Sequence, residues 1–362
     1  TKIMKKLLLI LLCLPIIGFG QLTYIPDDNF EQALINLGYD NVLDDYVTTS
    51  NINTITYLDV SFENISDLTG IEEFNALTEL LIGYNQLTSL NISNNTSLIA
   101  LQCGGNQLTA LDVSNNINLL WISCHENQLT SLDVSANTSL IGLECRSNQL
   151  TSLDVSGAND LTDLVCYSNN IINLDISQNI TLTELYCNHN QLTNIDVSMN
   201  TFLTHLQCND NQIANLDVSN NTNLEKLWCY NNQLISLNVS MTIFLTALDC
   251  RSNLLTSLDL RNGNNTNTYF VGSDNPNLYC IDVDDVAWST VNWTASATSP
   301  SIDLQHYFSN NCIGATSLQE HTKNKELLKI TDLLGKETKG TKNEVLFYIY
   351  DDGTVEKRIV IE

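Results

Sequence analysis

The chain has 362 residues and a formal net charge of −26, and the charge is unevenly distributed. Residues 21–314 contain 32 acidic residues but only four basic ones, Arg146, Lys226, Arg251 and Arg261. A surface this acidic repels phosphate groups, so the composition argues against nucleic acid and against anionic membranes as partners.

The first predicted element is a secretory signal peptide over residues 1–20. Two lysines precede an apolar run that ends in small residues, so we expect cleavage near Gln21. The alternative is a membrane anchor, but an anchor needs roughly 20 apolar residues, and this run is shorter and contains Pro15. The sequence therefore predicts export and no transmembrane segment after signal removal.

Residues 21–54 are predicted to form an N-terminal helical cap. Asp27 or Asp28 can cap the start of the helix, and Gly38 can end it. Between these positions one helix face carries the apolar residues Phe30, Ala33, Leu34 and Leu37.

A 21-residue repeat organises residues 55–262. After one degenerate copy, nine consecutive copies follow the pattern LxxLxCxxNQLTxLDVSxNT. The leucines that open these copies stand at positions 77, 98, 119, 140, 161, 182, 203, 224 and 245. Eight copies have cysteine at the sixth position, namely Cys103, Cys124, Cys145, Cys166, Cys187, Cys208, Cys229 and Cys250. One copy cannot bury its own leucines, so stacked copies must share a continuous core.

This pattern resembles the leucine-rich-repeat family, whose repeats of about 20–29 residues follow LxxLxLxxN/CxL. The resemblance implies a ten-turn solenoid of short parallel β-strands with little helix. In the copy that starts at Leu182, we expect Leu185 and Cys187 to point inward and Asn190 to turn the chain. A curved array of this kind also presents an extended binding surface.

The cysteines in register allow three interpretations. Buried unpaired thiols are expected, because the position points inward in the family pattern and free cysteine is among the most buried residue types. Disulfides between adjacent copies are the second interpretation, but parallel side chains suit the disulfide torsion poorly. A metal site is the third, since thiolates are soft ligands.

Two polar columns also recur in the repeats. The asparagine column is predicted to bond the backbone of the adjacent turn, and it comprises Asn106, Asn127, Asn148, Asn169, Asn190, Asn211, Asn232 and Asn253. The aspartate column is predicted to satisfy turn amides, and it comprises Asp112, Asp133, Asp154, Asp175, Asp196, Asp217 and Asp259. A calcium ladder is the alternative for the aspartates, because hard cations prefer carboxylate oxygens. No other cofactor is predicted.

The outward strand positions vary from copy to copy while the frame around them stays fixed, so function is expected there. The candidate ligand-binding residues are Trp121, His125, Arg146, Tyr167, Tyr186, Trp228, Tyr230 and Arg251. Tyr, Trp and Arg dominate binding hot spots, and flat rings also suit sugar faces. The alternative is an ordinary solvated strand face, because aromatic residues favour strands.

Residues 263–314 break the pattern and are predicted to form a C-terminal cap. An exported chain passes through an oxidising compartment, so a disulfide between Cys280 and Cys312 is expected, with two unpaired thiols as the alternative. Closing this loop would stabilise the fold by roughly 3–4 kcal/mol.

Residues 315–362 are predicted to form a short β-rich tail. The tail resembles the C-terminal sorting domain of type IX secretion in residues 330–336, which carry its aliphatic-x-Asp-x-x-Gly-Lys motif, and in the strands predicted at 347–350 and 357–361. It is shorter than that domain and lacks the Tyr-Pro-Asn-Pro opening. The resemblance implies recognition by the type IX secretion machinery, export across the outer membrane and removal of the tail. A small β-module that caps or dimerises the solenoid is the alternative.

The sequence contains no GxSxG, HExxH or phosphate-loop motif, so no enzymatic activity is predicted. It predicts a secreted or cell-surface adhesion protein, outside the outer membrane, that binds a protein ligand through the concave face of its repeats. A polysaccharide-binding surface module and a structural surface-layer component are the alternatives. Binding of soluble glycans would distinguish the first alternative, and regular self-assembly would distinguish the second.

Overall fold

The computed structural model describes residues 20–295, 301–312, 327–331, 345–350 and 355–359, and it divides into two compact units at residue 312. The predicted signal peptide lies outside the described residues, apart from Gly20. No helix in the described ranges is long and apolar enough to cross a bilayer.

A small cap opens the first unit. Strands β1 (Leu22–Tyr24) and β2 (Tyr46–Thr48) form an antiparallel pair, and helix α1 (Asp28–Asn36) connects them. A short helix, α2 (Thr49–Ile52), follows β2. The N-terminal cap therefore contains a two-stranded sheet that the sequence did not predict, in addition to the predicted helix.

The start of α1 agrees with the sequence prediction, and so does its end, where Gly38 follows the C-cap in a left-handed conformation with φ 81°. Asp27 caps the helix, with Oδ1 accepting bonds from the amides of residues 29 and 30. Leu37 was expected on the buried face but is 46% exposed, because the helix ends at Asn36 and Leu37 is its C-cap. Glu31 is fully buried, and its carboxylate accepts the amides of residues 44–46. A buried carboxylate thus fixes the loop before β2.

The main sheet of this unit has eleven parallel strands, one from each turn of a solenoid. Its strands are β3 (Tyr57–Asp59), β4 (Glu79–Leu81), β5 (Ala100–Gln102), β6 (Trp121–Ser123), β7 (Gly142–Glu144), β8 (Asp163–Val165), β9 (Glu184–Tyr186), β10 (His205–Gln207), β11 (Lys226–Trp228), β13 (Ala247–Asp249) and β15 (Tyr269–Val271). Neighbouring strands pair with their central residues in register, as Leu185 does with Leu206. Each central side chain is buried, and the residues on either side of it point outward.

The core repeats in every turn. In the turn that contains β9, six side chains are at most 3% exposed, namely Leu182, Leu185, Cys187, Leu192, Ile195 and Val197. Burial of one such leucine stabilises the fold by roughly 1.5–3 kcal/mol. Asn190 behaves as predicted, since its Nδ2 donates to the carbonyls of Cys166 and Cys187 and its Oδ1 accepts the amide of Ile171.

A second asparagine column was not predicted from the sequence. Asn116 is fully buried and its Nδ2 donates to the carbonyls of Ile92 and Asn95 in the preceding turn. The same arrangement recurs at Asn137, Asn179, Asn200 and Asn221. The turns that carry this asparagine are therefore tied to their neighbours at two corners, whereas the column is interrupted by Ala158 and Thr242.

The solenoid has eleven turns rather than the predicted ten. Strand β15 pairs with β13 although the repeat pattern breaks after Asn262. Asn275 occupies the place of the asparagine column, donating to the carbonyls of Cys250 and Gly272. The sequence pattern breaks because this turn contains a 3₁₀ helix (Asn265–Asn267) and is one residue longer, with Phe270 standing 22 residues after its partner Leu248.

A second parallel sheet runs along the last turns of the solenoid and continues into the C-terminal cap, with strands β12 (Ser236–Asn238), β14 (Ser257–Asp259), β16 (Cys280–Asp282) and β17 (Tyr307–Ser309). Helix α3 (Val286–Asn292) lies between β16 and β17. Trp293 is 5% exposed and packs between Phe270 and Phe308, at centroid distances of 4.8 and 5.8 Å. The predicted Cys280–Cys312 disulfide is present, with a Cα–Cα distance of 5.8 Å.

The second unit contains a three-stranded antiparallel sheet of β18 (Leu327–Thr331), β19 (Val345–Tyr350) and β20 (Val355–Ile359). The β-rich character predicted for the tail is therefore present. Part of the motif at residues 330–336 lies outside the described residues.

Candidate functional site

The candidate site is the outward side of the main sheet, which we call the outer sheet face. It consists of the outward residues of the strands β3–β11, β13 and β15 and of the first residues of the turns that follow them. All eight candidate residues lie on it. Trp121 is the first residue of β6, Tyr186 is the last residue of β9, and Trp228 is the last residue of β11. The other five lie two residues beyond the end of a strand, namely His125, Arg146, Tyr167, Tyr230 and Arg251.

Three rings form a row across the first turns. Phe62 and Tyr84 stack with their centroids 4.7 Å apart and their planes 9° apart. Tyr84 meets the His125 ring edge-on at 6.0 Å, and its hydroxyl lies 3.3 Å from His125 Nε2. The imidazole lies over Gly104, where a Cβ would come within 2.4 Å of the ring. The glycine therefore provides the space that this histidine occupies.

A series of hydrogen bonds continues from His125. Ser123 Oγ lies 2.8 Å from His125 Nδ1 and donates to Glu144 at 2.8 Å. The other oxygen of Glu144 accepts from Arg146 at 2.7 Å, and Arg146 also donates to Glu126 at 2.8 Å. Burial opposes ionisation of Glu144, but the hydrogen bonds from Arg146 and Ser123 outweigh it and hold its pKa below the ordinary value. The carboxylate is thus ionised and fixed in place.

The same network ends on a tyrosine. The guanidinium of Arg146 lies 5.7 Å from the centroid of the Tyr167 ring, in cation–π contact. From Phe62 to Tyr167 the contacts cross the six turns that contain β3 to β8. Because these side chains already hold one another, little side-chain freedom remains to be lost when a ligand binds.

A hollow of about 760 Å³ lies on the outer sheet face beside this network. Trp121 is 49% exposed, and its indole lies across Gly142, where a Cβ would come within 2.0 Å of Cζ3. Ala100 occupies the matching position on the other side of Trp121. One strand further out on each side stand carboxylates, Glu79 and Asp163. The hollow is therefore an exposed indole between two small residues, with acidic residues at both ends.

The remaining candidates form a second group. The guanidinium of Arg251 lies 4.8 Å from the centroid of the Tyr230 ring and 3.3 Å from the Asp249 carboxylate. Burial and the charge of Asp210 raise the pKa of Tyr230. Tyr186 donates to Glu184 at 2.9 Å, and burial together with this bond raises its pKa to about 12. These phenols are therefore neutral, and Tyr186 acts as a hydrogen-bond donor.

The structure brings Trp121, His125, Arg146 and Tyr167 into one neighbourhood and places the other four candidates further along the sheet. The sequence did not predict the other members of the network, which are Phe62, Tyr84, Ser123, Glu126 and Glu144. One available signal was Gly142, because an isolated glycine within a strand marks a close approach by another group. Tyr84 had no such signal, since its partner His125 lies 41 residues away.

The cysteine column is buried and unpaired. All eight cysteines of the ladder are free and have no exposed surface. Burial raises the pKa of Cys103 and of Cys187 to about 12. The thiols are therefore protonated core residues. No group of three or more metal-binding side chains occurs among the residues that the structure describes.

The aspartate column serves the turns, as the sequence predicted. Asp154 Oδ1 accepts the amide of Ser156 at 2.9 Å, and bonds from Ser156 lower the pKa of Asp154. Corresponding bonds are made by Asp112, Asp133, Asp175, Asp196, Asp217 and Asp259.

The stacked parallel strands, the leucine core and the asparagine column define a leucine-rich-repeat solenoid, a fold that typically serves as a binding scaffold. No family model matches the chain. The chain is similar to the solved functional domain of internalin J from Listeria monocytogenes, which includes a cysteine ladder. That similarity has a TM-score of 0.59 and 31% identity, and it covers 80% of this chain and 72% of that one.

Curated internalin J from Listeria monocytogenes serotype 4b is 38% identical over 73 residues, a match that covers 20% of this chain and only 8% of that protein. The solved internalin C2 of Listeria monocytogenes has a TM-score of 0.53 and 23% identity over 57% of this chain and 96% of that one, which shows a shared fold alone. This chain belongs to the leucine-rich-repeat family and is related to the Listeria internalins.

Proposed function

We propose that this chain is an exported cell-surface protein that binds and adheres to a protein ligand through its outer sheet face. The observation that carries the proposal is the network from Phe62 to Tyr167. The network consists of aromatic and charged side chains that contact one another, and these side chains differ from turn to turn whereas the core residues beneath them repeat. Residues of these types dominate protein-binding hot spots.

The relationship to internalin J supports a binding role, since stacked repeats present extended surfaces that ligands can contact along several turns. Export is supported by the signal-peptide pattern in residues 1–20. The resemblance of residues 315–362 to a type IX sorting domain supports delivery to the outside of the outer membrane.

The binding test uses the full chain on arrays of surface proteins and soluble glycans. A triple variant, Phe62→Ala, Tyr84→Ala and Tyr167→Ala, removes three rings of this network from the outer sheet face. The matched control is Phe202→Ala, Ile243→Ala and Phe244→Ala, which removes apolar residues from turns outside both sheets that are 58%, 53% and 54% exposed.

We expect the sheet-face variant to lose about tenfold or more in affinity for a protein ligand, and the control to bind as the unchanged chain does. If the two variants bind the ligand with the same affinity, the network on the outer sheet face does not bind it. Binding to glycans alone would favour the polysaccharide-binding alternative, and self-assembly without any ligand would favour a structural surface-layer role.

The export test compares the full chain with a chain ending at residue 314, both produced in a bacterium that has type IX secretion. We expect the full chain outside the outer membrane and the shortened chain in the periplasm. Equal surface delivery of both chains would exclude a sorting role for the tail.

A further inference from the structure

We infer that the hollow around Trp121 binds the cationic side chains of a basic segment, rich in Arg or Lys, in the ligand protein. This inference rests on the proposed function and adds to it the chemistry that the ligand must carry. The inference depends on three observations: the exposed ring of Trp121, the small residues Ala100 and Gly142 on either side of it, and the carboxylates of Glu79 and Asp163 at the two ends of the hollow.

The register of the main sheet sets the geometry of the hollow. The outward residues that open β4 to β8 are Glu79, Ala100, Trp121, Gly142 and Asp163. Adjacent strands are about 4.8 Å apart, so each carboxyl-bearing strand is about 10 Å from the tryptophan strand. Both neighbours of the ring are small, and the indole occupies the space that a side chain at Gly142 would fill. The indole is about half exposed and is therefore accessible to a ligand.

The charge of the hollow favours a cation. Arg146 is the only Lys or Arg between residue 21 and residue 225. Its guanidinium is already held by Glu126 and Glu144. Glu79 is exposed. Asp163 accepts a hydrogen bond from the hydroxyl of Thr162, which is a neutral group. Among the residues that the structure describes, no basic side chain forms an ion pair with either carboxylate.

A guanidinium or ammonium group over the indole would gain from the negative face of the ring and from both carboxylates. A phosphorylated or otherwise anionic ligand would be repelled by the same groups. A neutral sugar could stack on the ring, but it would gain nothing from the two charges. The observations therefore favour a basic protein segment over a glycan.

The spacing also specifies the segment. A polyproline II segment has three residues per turn and rises about 3.1 Å per residue, so cationic side chains three residues apart lie on one face of it, about 9 Å from one another. That distance matches the separation between Trp121 and each flanking carboxylate. A segment lying across β4 to β8 would place one cation over the indole and one beside each carboxylate.

The probe is a synthetic Gly/Ser peptide with arginines at three positions, each three residues apart. The control peptide carries citrulline, a neutral isostere, in place of every arginine. Binding to the full chain is measured by calorimetry at low and at high salt. We expect the arginine peptide to bind and the citrulline peptide to bind at least about tenfold more weakly, with a difference that narrows as salt rises.

The variants locate the site. Trp121→Ala should lower affinity for the arginine peptide about three- to thirtyfold, and Trp121→Phe should retain part of that affinity because it retains a ring. Glu79→Gln and Asp163→Asn should each lower affinity at low salt. Phe202→Ala removes an exposed ring that lies outside the outer sheet face and should leave the affinity unchanged. Unfolding curves of each variant check that the fold is retained.

Equal binding of the arginine and citrulline peptides would overturn the inference, and so would unchanged affinity in Glu79→Gln together with Asp163→Asn. If the arrays yield a sheet-face protein ligand but the arginine peptide does not bind, the inference fails and the proposed function stands. If the arginine peptide binds at Trp121 but no surface protein binds, the hollow recognises cations and the adhesion proposal fails.

Discussion

The indole of Trp121 lies in the volume that a side chain at position 142 would fill. A Cβ added to Gly142 would come within 2.0 Å of Trp121 Cζ3. The indole therefore cannot keep this position if residue 142 has a side chain. The orientation of an exposed aromatic residue is thus set by a glycine in the following turn.

Gly142→Ala should destabilise the protein by about 1 kcal/mol or less, because the new methyl group must displace an indole that is half exposed and can move toward solvent. Urea unfolding followed by circular dichroism measures the loss. In a Trp121→Ala background the same change should cost little, since the ring is no longer there. Additive losses in the double variant would show that the two residues are not coupled.

The frame of the fold could be predicted from the sequence, because its contacts depend on residue type at a fixed period. Leu185, Cys187 and Asn190 occupy the places that the 21-residue pattern gives them. The outer sheet face was predicted as a set of positions but not as a set of contacts. Contacts such as that between Tyr84 and His125 depend on side-chain directions across turns, which no local pattern encodes.

Two further features lay beyond the repeat pattern. The strand pair at the N-terminus joins short segments without strong alternation, β1 and β2. The eleventh turn is one residue longer than the period, although Phe270 still packs as the central residue of its strand. The core continues into this turn because any apolar residue at the central strand position, here Phe270, can fill the place of the leucine.

Arg146→Gln should show how far the charged network stabilises the fold. The pKa of Glu144 is lowered in the folded chain, so its contribution is present above its ordinary pKa of 4.5 and is lost as the pH falls through the lowered value. We expect a loss of about 1 kcal/mol near pH 7 that shrinks below about pH 4. Unfolding in urea at several pH values tests this. Arg251→Gln is the control, since that guanidinium is more exposed and should matter less. A loss independent of pH would remove Glu144 from the explanation.

Asn148→Ala should be among the most destabilising single changes in the solenoid. The Asn148 amide donates to the carbonyls of Cys124 and Cys145 and accepts the amide of Leu129, all in the interior. Each buried group left without a partner costs about 1–3 kcal/mol, so a loss of about 3 kcal/mol or more is expected from urea unfolding. The neighbouring exposed residue supplies the control, Gln149→Ala, for which little change is expected. Similar values for both variants would contradict a structural role for the column.

Calcium should leave the melting temperature unchanged, within about 1 °C, because the aspartate column caps turns. The chain itself places asparagine in this column at position 238, where Oδ1 accepts the Ser240 amide at 2.9 Å, the same distance as for Asp154 and Ser156. Asp154→Asn should therefore be nearly neutral, and Asp154→Ala should cost about 0.5–1 kcal/mol. A rise of several degrees on adding calcium, abolished by Asp154→Asn, would establish a calcium ladder instead.

The eight cysteines of the ladder should not react with a thiol reagent in the folded protein, and all eight should react once the protein unfolds. Burial raises the pKa of Cys103 and Cys187 to about 12, and the thiolate is the reactive form. With a thiol reagent near pH 8 and no reductant, the native chain cleaved near Gln21 should show no reactive thiols. The same chain in denaturant should show the eight thiols of the ladder. Prior reduction should add the two thiols of Cys280 and Cys312. Fewer than six thiols in the unreduced, denatured chain would mean that cysteines of neighbouring turns form disulfides, which would replace the apolar column with covalent links between turns.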